Sequence, residues 1–224
     1  MSTLTKAIAL GGFGQVSVNG IIVAFIIYKV EPAARGANMK NMSTQITTYI
    51  EDPQFKMARK FLSDETFAEA IESFIIVCTD VFFIQRTNGG VFLLAPRKAK
   101  PMQGFWSVGG RISAGELERD AITRIVKREA GLTVAPDRFE FVRMHRSLWA
   151  NREQEPQNKG RDDITYIFVL DISDEEKRIV SAHLDPREYD TTKGLEEFDK
   201  ERLERESVHK AVRDVYAVVF DEKS

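Results

Sequence analysis

One helix constrains this chain more than any other segment. L-E-R-D-A-I-T-R-I-V-K-R-E-A-G-L, residues 117–132, places Leu117, Ala121, Ile125 and Val126 at helical spacing, which predicts a buried side, and Gly131 suits a left-handed cap that ends it. Before it, F-I-I-V-C-T-D-V-F-F-I-Q-R and G-G-V-F-L-L-A-P-R read as two strands about a T-N-G-G turn, on their β-branched and aromatic content. After it, F-E-F-V-R-M-H-R-S-L-W and I-T-Y-I-F-V-L-D-I read as strands separated by a polar loop over residues 150–163. A helix with one apolar stripe among such strands must pack on them, so the expected fold class is α/β in the broad sense (α+β), a mixed β-sheet sandwiched between helices. Further helices are expected within residues 56–74, capped by Ser63 or Asp64, and over residues 201–220, where Val208, Val212, Val215 and Val219 share a face.

These patterns begin after residue 45, which predicts an N-terminal extension or linker over 1–45 and a domain over 46–224. Residues 7–28 carry no charge between Lys6 and Lys29, a length that suffices for a membrane anchor. Against that, Gln15, Ser17 and Asn19 interrupt the apolar run, and V-S-V-N-G-I-I-V is a hairpin signal. A third reading takes Met39 or Met42 as the working start, and the residues leave all three open. Elsewhere the chain is ordinary for a soluble domain: 43% hydrophobic, 29% charged, with a formal net charge of −2 that offers nucleic acid no general attraction. The single cysteine, Cys78, excludes an intrachain disulfide and is expected as a buried thiol, which suits a cytoplasmic protein.

Gly109 and Gly110 precede the helix and let backbone approach a ligand closely, while a helix N-terminus beyond them favours anions. Arg97, Lys98, Lys100, Arg111, Arg124 and Arg128 can surround one acidic group, Glu129, a pattern suited to a diphosphate and a hydrated magnesium ion. Gly110, Glu116, Arg124, Val126, Glu129, Gly131 and Leu132 match the Nudix box, G-x5-E-x7-R-E-U-x-E-E-x-G-U with U aliphatic, so the chain is identified as a member of that hydrolase superfamily. The box departs at Ile125 and Arg128, which replace two of its three core glutamates, and W-S-V-G-G lacks the usual proline. This pattern resembles the GDP-mannose mannosyl hydrolase branch, as do F-L-S-D-E-T-F-A-E-A-I and P-R-K-A-K-P-M-Q-G-F-W.

The resemblance implies the Nudix fold and a magnesium-dependent hydrolase, manganese being a substitute, that cleaves GDP-mannose or GDP-glucose to GDP and sugar by attack at the anomeric carbon. It implies Gly109 and Glu129 as metal ligands, Arg97, Arg111 and Arg124 on the phosphates and leaving group, Asp80 on the sugar side, and a homodimer. For the base it leaves two positions: His183 in A-H-L-D, or Glu188, reached by counting back from L-E-E-F, as base or further metal ligand. A histidine suits a proton acceptor near neutral pH. Two other readings stay open: attack at phosphorus on another nucleoside diphosphate derivative, and a module that binds a nucleotide sugar or ADP-ribose without hydrolysis. Among the remaining residues, Glu116 is expected to stabilise the loop, Trp106 to pack in the core, His209 to be structural, and loop 150–163 to shape specificity.

Overall fold

The computed structural model describes residues 12–18, 21–27, 46, 48–52, 54, 56–57, 60–87 and 89–221. The chain divides into Met1–Ser43 and Thr44–Ser224. In the first unit, β1 (Gly12–Val18) and β2 (Ile21–Ile27) pair antiparallel with Val18 opposite Ile21, so the strands flank the Asn-Gly turn signal. The linker reading over 31–45 falls on residues outside those described. No helix among the described residues is long and apolar enough to cross a membrane.

In the second unit, α1 (Asp64–Ser73) starts at the expected cap, with the Ser63 hydroxyl accepting from the Thr66 amide. β3 (Ile76–Gln85) follows, then β4 (Val91–Arg97), β5 (Gly104–Trp106) and β6 (Val108–Arg111). After α2 (Glu118–Ala130) come β7 (Glu140–Trp149), β8 (Arg161–Asp171), α3 (Asp174–His183), β9 (Glu196–Phe198), α4 (Lys200–Arg205) and α5 (Lys210–Tyr216). The sheet runs β5-β4-β3-β8-β7, with β6 also on β3 and β9 on β4; β3 and β8 are parallel and the other pairs antiparallel.

β3 reads as a continuous apolar run because both of its faces are covered. Val81 and Phe83 join a core with Ile122, Ile125 and Val126 of α2 and Val180 of α3. Phe82 and Ile84 face the opposite core, with Val208, Val212, Val215 and Val219. The four valines are buried as their spacing predicts, but the helix that carries them is broken: Ser207, at φ 50°, ends the first segment, and α5 starts at Lys210 with His209 as its cap. Leu117 also departs from expectation, being 42% exposed, because the helix begins at Glu118 and Leu117 lies ahead of its first turn.

Candidate active site

The topology of β3 makes the site. β8 pairs along one edge of β3 from Ile76 to Ile84, whereas the other edge changes partner: Cys78–Val81 pair with β6 and Phe83–Gln85 with β4. Asp80 lies on the β6 side of that change, directly opposite Gly109. Glycine is required there, since a Cβ at position 109 would come within 1.9 Å of Asp80 Oδ1 and 2.8 Å of the Thr79 carbonyl oxygen. Asp80 Oδ2 accepts from Ser107 Oγ (2.8 Å) and Trp106 Nε1 (3.2 Å). Burial raises the Asp80 carboxyl above its usual range, against the Ser107 hydrogen bond and the nearby Arg97 charge.

A cleft of about 620 Å³ opens over this point and has Asp80, Arg97, Gly109, Arg111, Arg124, Arg128, Glu129 and Glu188 in its lining. That volume is in the ordinary range for a small-molecule site, roughly 300–1,000 Å³. Glu129, the acid surviving in the box, is 2% exposed. Both of its oxygens are engaged: Arg128 Nη2 donates to Oε1, and Tyr189 OH donates to Oε2 at 3.2 Å. Burial raises its pKa, the Arg128 hydrogen bond opposes that shift, and the Glu188 charge adds to it. Arg97 reaches Glu188 Oε2 at 2.8 Å and the Ala99 carbonyl at 3.3 Å.

Magnesium takes oxygen ligands and is commonly held by one or two carboxylates together with substrate phosphates. Glu129, Glu188 and the Gly109 carbonyl are donors of that kind. Among the described residues no group of three His, Cys, Asp or Glu side chains converges as a metal site. The donor chemistry fits an ion shared with a bound diphosphate. Arg128 competes with such an ion for Glu129. Its pair is half-exposed on the arginine side, worth on the order of 1 kcal/mol. Arg128→Gln is accordingly expected to tighten Mn2+ binding by about fivefold, read from the electron paramagnetic resonance signal of free Mn2+.

The remaining predicted residues divide. Arg124 lines the cleft, yet its guanidinium grips Glu116 in a two-point pair (Nε–Oε1 2.7 Å, Nη2–Oε2 2.8 Å) and donates to the Arg111 carbonyl at 3.2 Å. Glu116 also accepts from the Ser113 amide at 3.0 Å, so the pair braces the loop that presents Arg111. Arg111 lies over the Phe67 ring, 3.7 Å from its centroid. His183 does not come to the cleft. It ends α3, exposed, with Nδ1 beside the Ile179 carbonyl (2.8 Å) and its Cβ against Gly131, whereas Glu188, the alternative position for the base, lines the cleft. Spacing along the chain cannot register α3, whose turns move His183 away from the strand ends. The histidine that does line the cleft is His145, whose pKa is lowered by burial.

Sequence reasoning misses several residues in the cleft and just behind it. Trp106 is a hydrogen-bond donor to Asp80 and not simply core, and Ser107 is its companion. Asp163 is held by Arg161 Nε (2.8 Å) and Trp149 Nε1 (3.0 Å), and all three line the cleft. Cys78 is buried as expected, its thiol pushed up to about 12 by burial and the Asp163 charge, so it carries no nucleophile. Tyr189, buried between Arg97 and Glu129, could be found only through the alternative count that reaches Glu188.

A family model described as NUDIX domain matches residues 76–218. Among solved structures, the NUDIX domain of Shewanella oneidensis NrtR complexed with ADP ribose is 12% identical with a TM-score of 0.48, covering 73% of this chain and 100% of that one. A C. elegans Ap4A hydrolase is 12% identical with a TM-score of 0.44, covering 67% of this chain and 100% of the other. The E. coli dihydroneopterin triphosphate pyrophosphohydrolase is 14% identical with a TM-score of 0.47, covering 65% and 95%. At such identities and scores none of the three bears on what this chain binds.

Proposed function

We propose that this chain, which belongs to the NUDIX domain family, hydrolyses a nucleoside diphosphate sugar by attack of water at the anomeric carbon, GDP-mannose or GDP-glucose being the leading substrate. Membership supports a hydrolase of nucleoside diphosphate derivatives that uses a divalent metal ion. The observation that carries the finer reading is the donor set: the cleft offers arginines enough for a diphosphate, while among the described residues no three His, Cys, Asp or Glu side chains gather as a metal site. Held by Glu129, Glu188 and the Gly109 carbonyl, magnesium would supply positive charge to the departing diphosphate. Carbon attack asks no more of it than that.

Arg97 and Arg111 orient the phosphates, with Arg124 and Glu116 fixing the loop that carries Arg111. Asp80 accepts the proton of the attacking water as its oxygen bonds to the anomeric carbon. The bond from that carbon to the phosphate oxygen breaks, and its electron pair leaves with the nucleoside diphosphate. Ser107 and Trp106 both bind Asp80 Oδ2, which leaves Oδ1 as the accepting atom. A cytoplasmic homodimer belongs to the same reading through the family resemblance, with exposed Phe61 and Phe74 flanking α1 as the apolar surface it would cover.

Hydrolysis in oxygen-18 water tests the reaction. The label is expected on the sugar alone, and label on phosphate would establish attack at phosphorus instead. A second reading, a module that binds without turnover, is favoured by one observation: Arg128 and Tyr189 already satisfy both oxygens of Glu129. Equal nucleotide-sugar affinity and no turnover for wild type and Glu129→Gln alike would select it.

A further inference from the structure

The floor of the cleft is one face of the sheet. Ile76, Cys78 and Asp80 line it from β3, and their register partners on β8, Asp163, Thr165 and Ile167, line it beside them. Arg161, at the start of β8, lines the cleft as well and has no part in the chemistry described so far.

Arg161 is anchored at one end and open at the other. Its Nε donates to both oxygens of Asp163, at 2.8 and 2.9 Å, and Nη2 lies 3.6 Å from Cys78 Sγ. Asp163 is 4% exposed, and its Oδ2 also accepts from Trp149 Nε1 at 3.0 Å, so the carboxylate that holds the arginine is itself held. Arg124 grips Glu116 with two nitrogens, Nε and Nη2, whereas Arg161 gives Asp163 its Nε alone. Nη1 of Arg161 has no partner among the described residues. It is not buried either: the buried side-chain polar atoms without a partner there are Thr79 Oγ1 and Gln154 Oε1, and the Arg161 side chain is 13% exposed. The far end of this guanidinium therefore meets solvent where the residue lines the cleft.

Arg111 belongs to the same part of the floor. It pairs in register with Cys78 from β6, and the Arg161 guanidinium reaches Cys78 from β8. Burial, and next the charge of Arg161, hold the Arg111 pKa below its usual value. Arg97, Arg124, Arg128 and Arg161 are each paired with a carboxylate, but among the described residues Arg111 has none within ion-pair distance and lies over the Phe67 ring instead. Two guanidiniums that repel, one of them without a counter-charge, favour an anion between them.

We propose that Arg161 is a phosphate-binding residue, whose open end donates beside Arg111 to an oxygen of the substrate's diphosphate. The assignment rests on the reading of the cleft as a site for a nucleoside diphosphate sugar. A neutral acceptor, such as a base carbonyl, would satisfy the donors of Arg161 and leave the Arg111 charge unmet. Cys78 is two residues, about 6.6 Å, from Asp80 along β3, which puts the anion beside the carbon that Asp80 serves and not at it.

The test is titration calorimetry on the full chain with magnesium, the probes being inorganic pyrophosphate and GDP, neither of which the proposed reaction consumes. Arg161→Lys keeps a cation for Asp163 and loses the open end. The double variant Arg161→Gln with Asp163→Asn removes both charges, so no buried carboxylate is left unpaired, and residue 163 keeps an oxygen for Trp149 Nε1. Each variant is expected to weaken pyrophosphate and GDP alike, by about tenfold. Affinities within about twofold of wild type for both probes overturn the assignment and leave Arg161 as the counter-ion of Asp163. A loss for GDP with pyrophosphate unchanged also overturns it, by moving the contact to the nucleoside. Wild-type protein that binds pyrophosphate but not GDP sinks the nucleotide-sugar reading, and the pyrophosphate series then decides Arg161 by itself. Wild-type protein that binds neither probe sinks both.

Discussion

Asp80→Asn is expected to lower kcat/KM by about two to four orders of magnitude, the usual contribution of a positioned general base. Asparagine keeps the shape of the side chain and an oxygen for Ser107 and Trp106, so the hydrogen bonds that orient it survive while its ability to take a proton does not. The pH dependence carries the sign. A base works when deprotonated, and burial raises the Asp80 pKa above the ordinary carboxylate range, so kcat/KM of the wild type should rise with pH through that raised value. The acid limb then sits higher than an unperturbed aspartate near ~3.9 would put it, and Asp80→Asn should remove it. Stability moves the other way. Between the unfolded and folded pKa values the unfolded chain has already released the proton that folded Asp80 retains, so ionising Asp80 costs the wild type stability as pH rises. Urea unfolding at neutral pH should therefore find Asp80→Asn at least as stable as wild type, even though it is inactive. An Asp80→Asn protein that retains activity with an unshifted acid limb would move the base to His145, the histidine that lines the same cleft.

What could be read in advance follows from how local each signal is. The box helix, its Gly131 cap at φ 65° and the two strands before it rest on periods and turn residues within a dozen positions, and they stand as read. The helix α3 carries a local signal, the capping box of Ser173 and Glu176, but only Val180 of its residues is buried, so its apolar stripe is too thin to mark it as a core helix. The break at Ser207 has no glycine or proline to announce it; tertiary packing of the flanking valines holds a left-handed residue there. The site was legible where it lies within the box and opaque where it is assembled across strands. Asp80 meets Trp106 and Ser107 only because β3 and β6 pair, and Arg97 meets Glu188 only because residues 188–190 run back along the end of β4. His183 was a plausible base by spacing, and a ten-residue helix places it elsewhere.

Ile125→Glu, which restores a glutamate of the family pattern, is expected to destabilise the fold by about 5 kcal/mol or more and not to improve catalysis. Ile125 has 0% exposure and packs in the core between α2 and the sheet. Losing its burial costs about 1.5–3 kcal/mol. A carboxylate in that environment pays further for desolvation: a rise of about three pKa units corresponds to ~4 kcal/mol at neutral pH. The sum is a large part of the 5–15 kcal/mol that a typical domain has. Gly110 and Arg128 mark the single way out. A Cβ at Gly110 would lie 3.5 Å from Ile125 Cδ1 and 3.8 Å from Arg128 Nη2, so a glutamate at 125 that turned toward the glycines could share the Arg128 cation. Any such rescue has to be taken from Glu129, which Arg128 now neutralises. The introduced carboxyl has a raised pKa in the folded state, so the penalty relative to wild type should fall to the packing loss alone near pH 4 and grow as pH rises above the unfolded value near ~4.3. Urea titrations of wild type and variant at pH 4.5 and pH 7.5 read this directly, and equal losses at both values would show that the cost is packing alone. Two features of the degenerate box, Ile125 and Arg128, thereby act together: the first fills the core at a position that the family pattern gives to glutamate, and the second neutralises the buried Glu129.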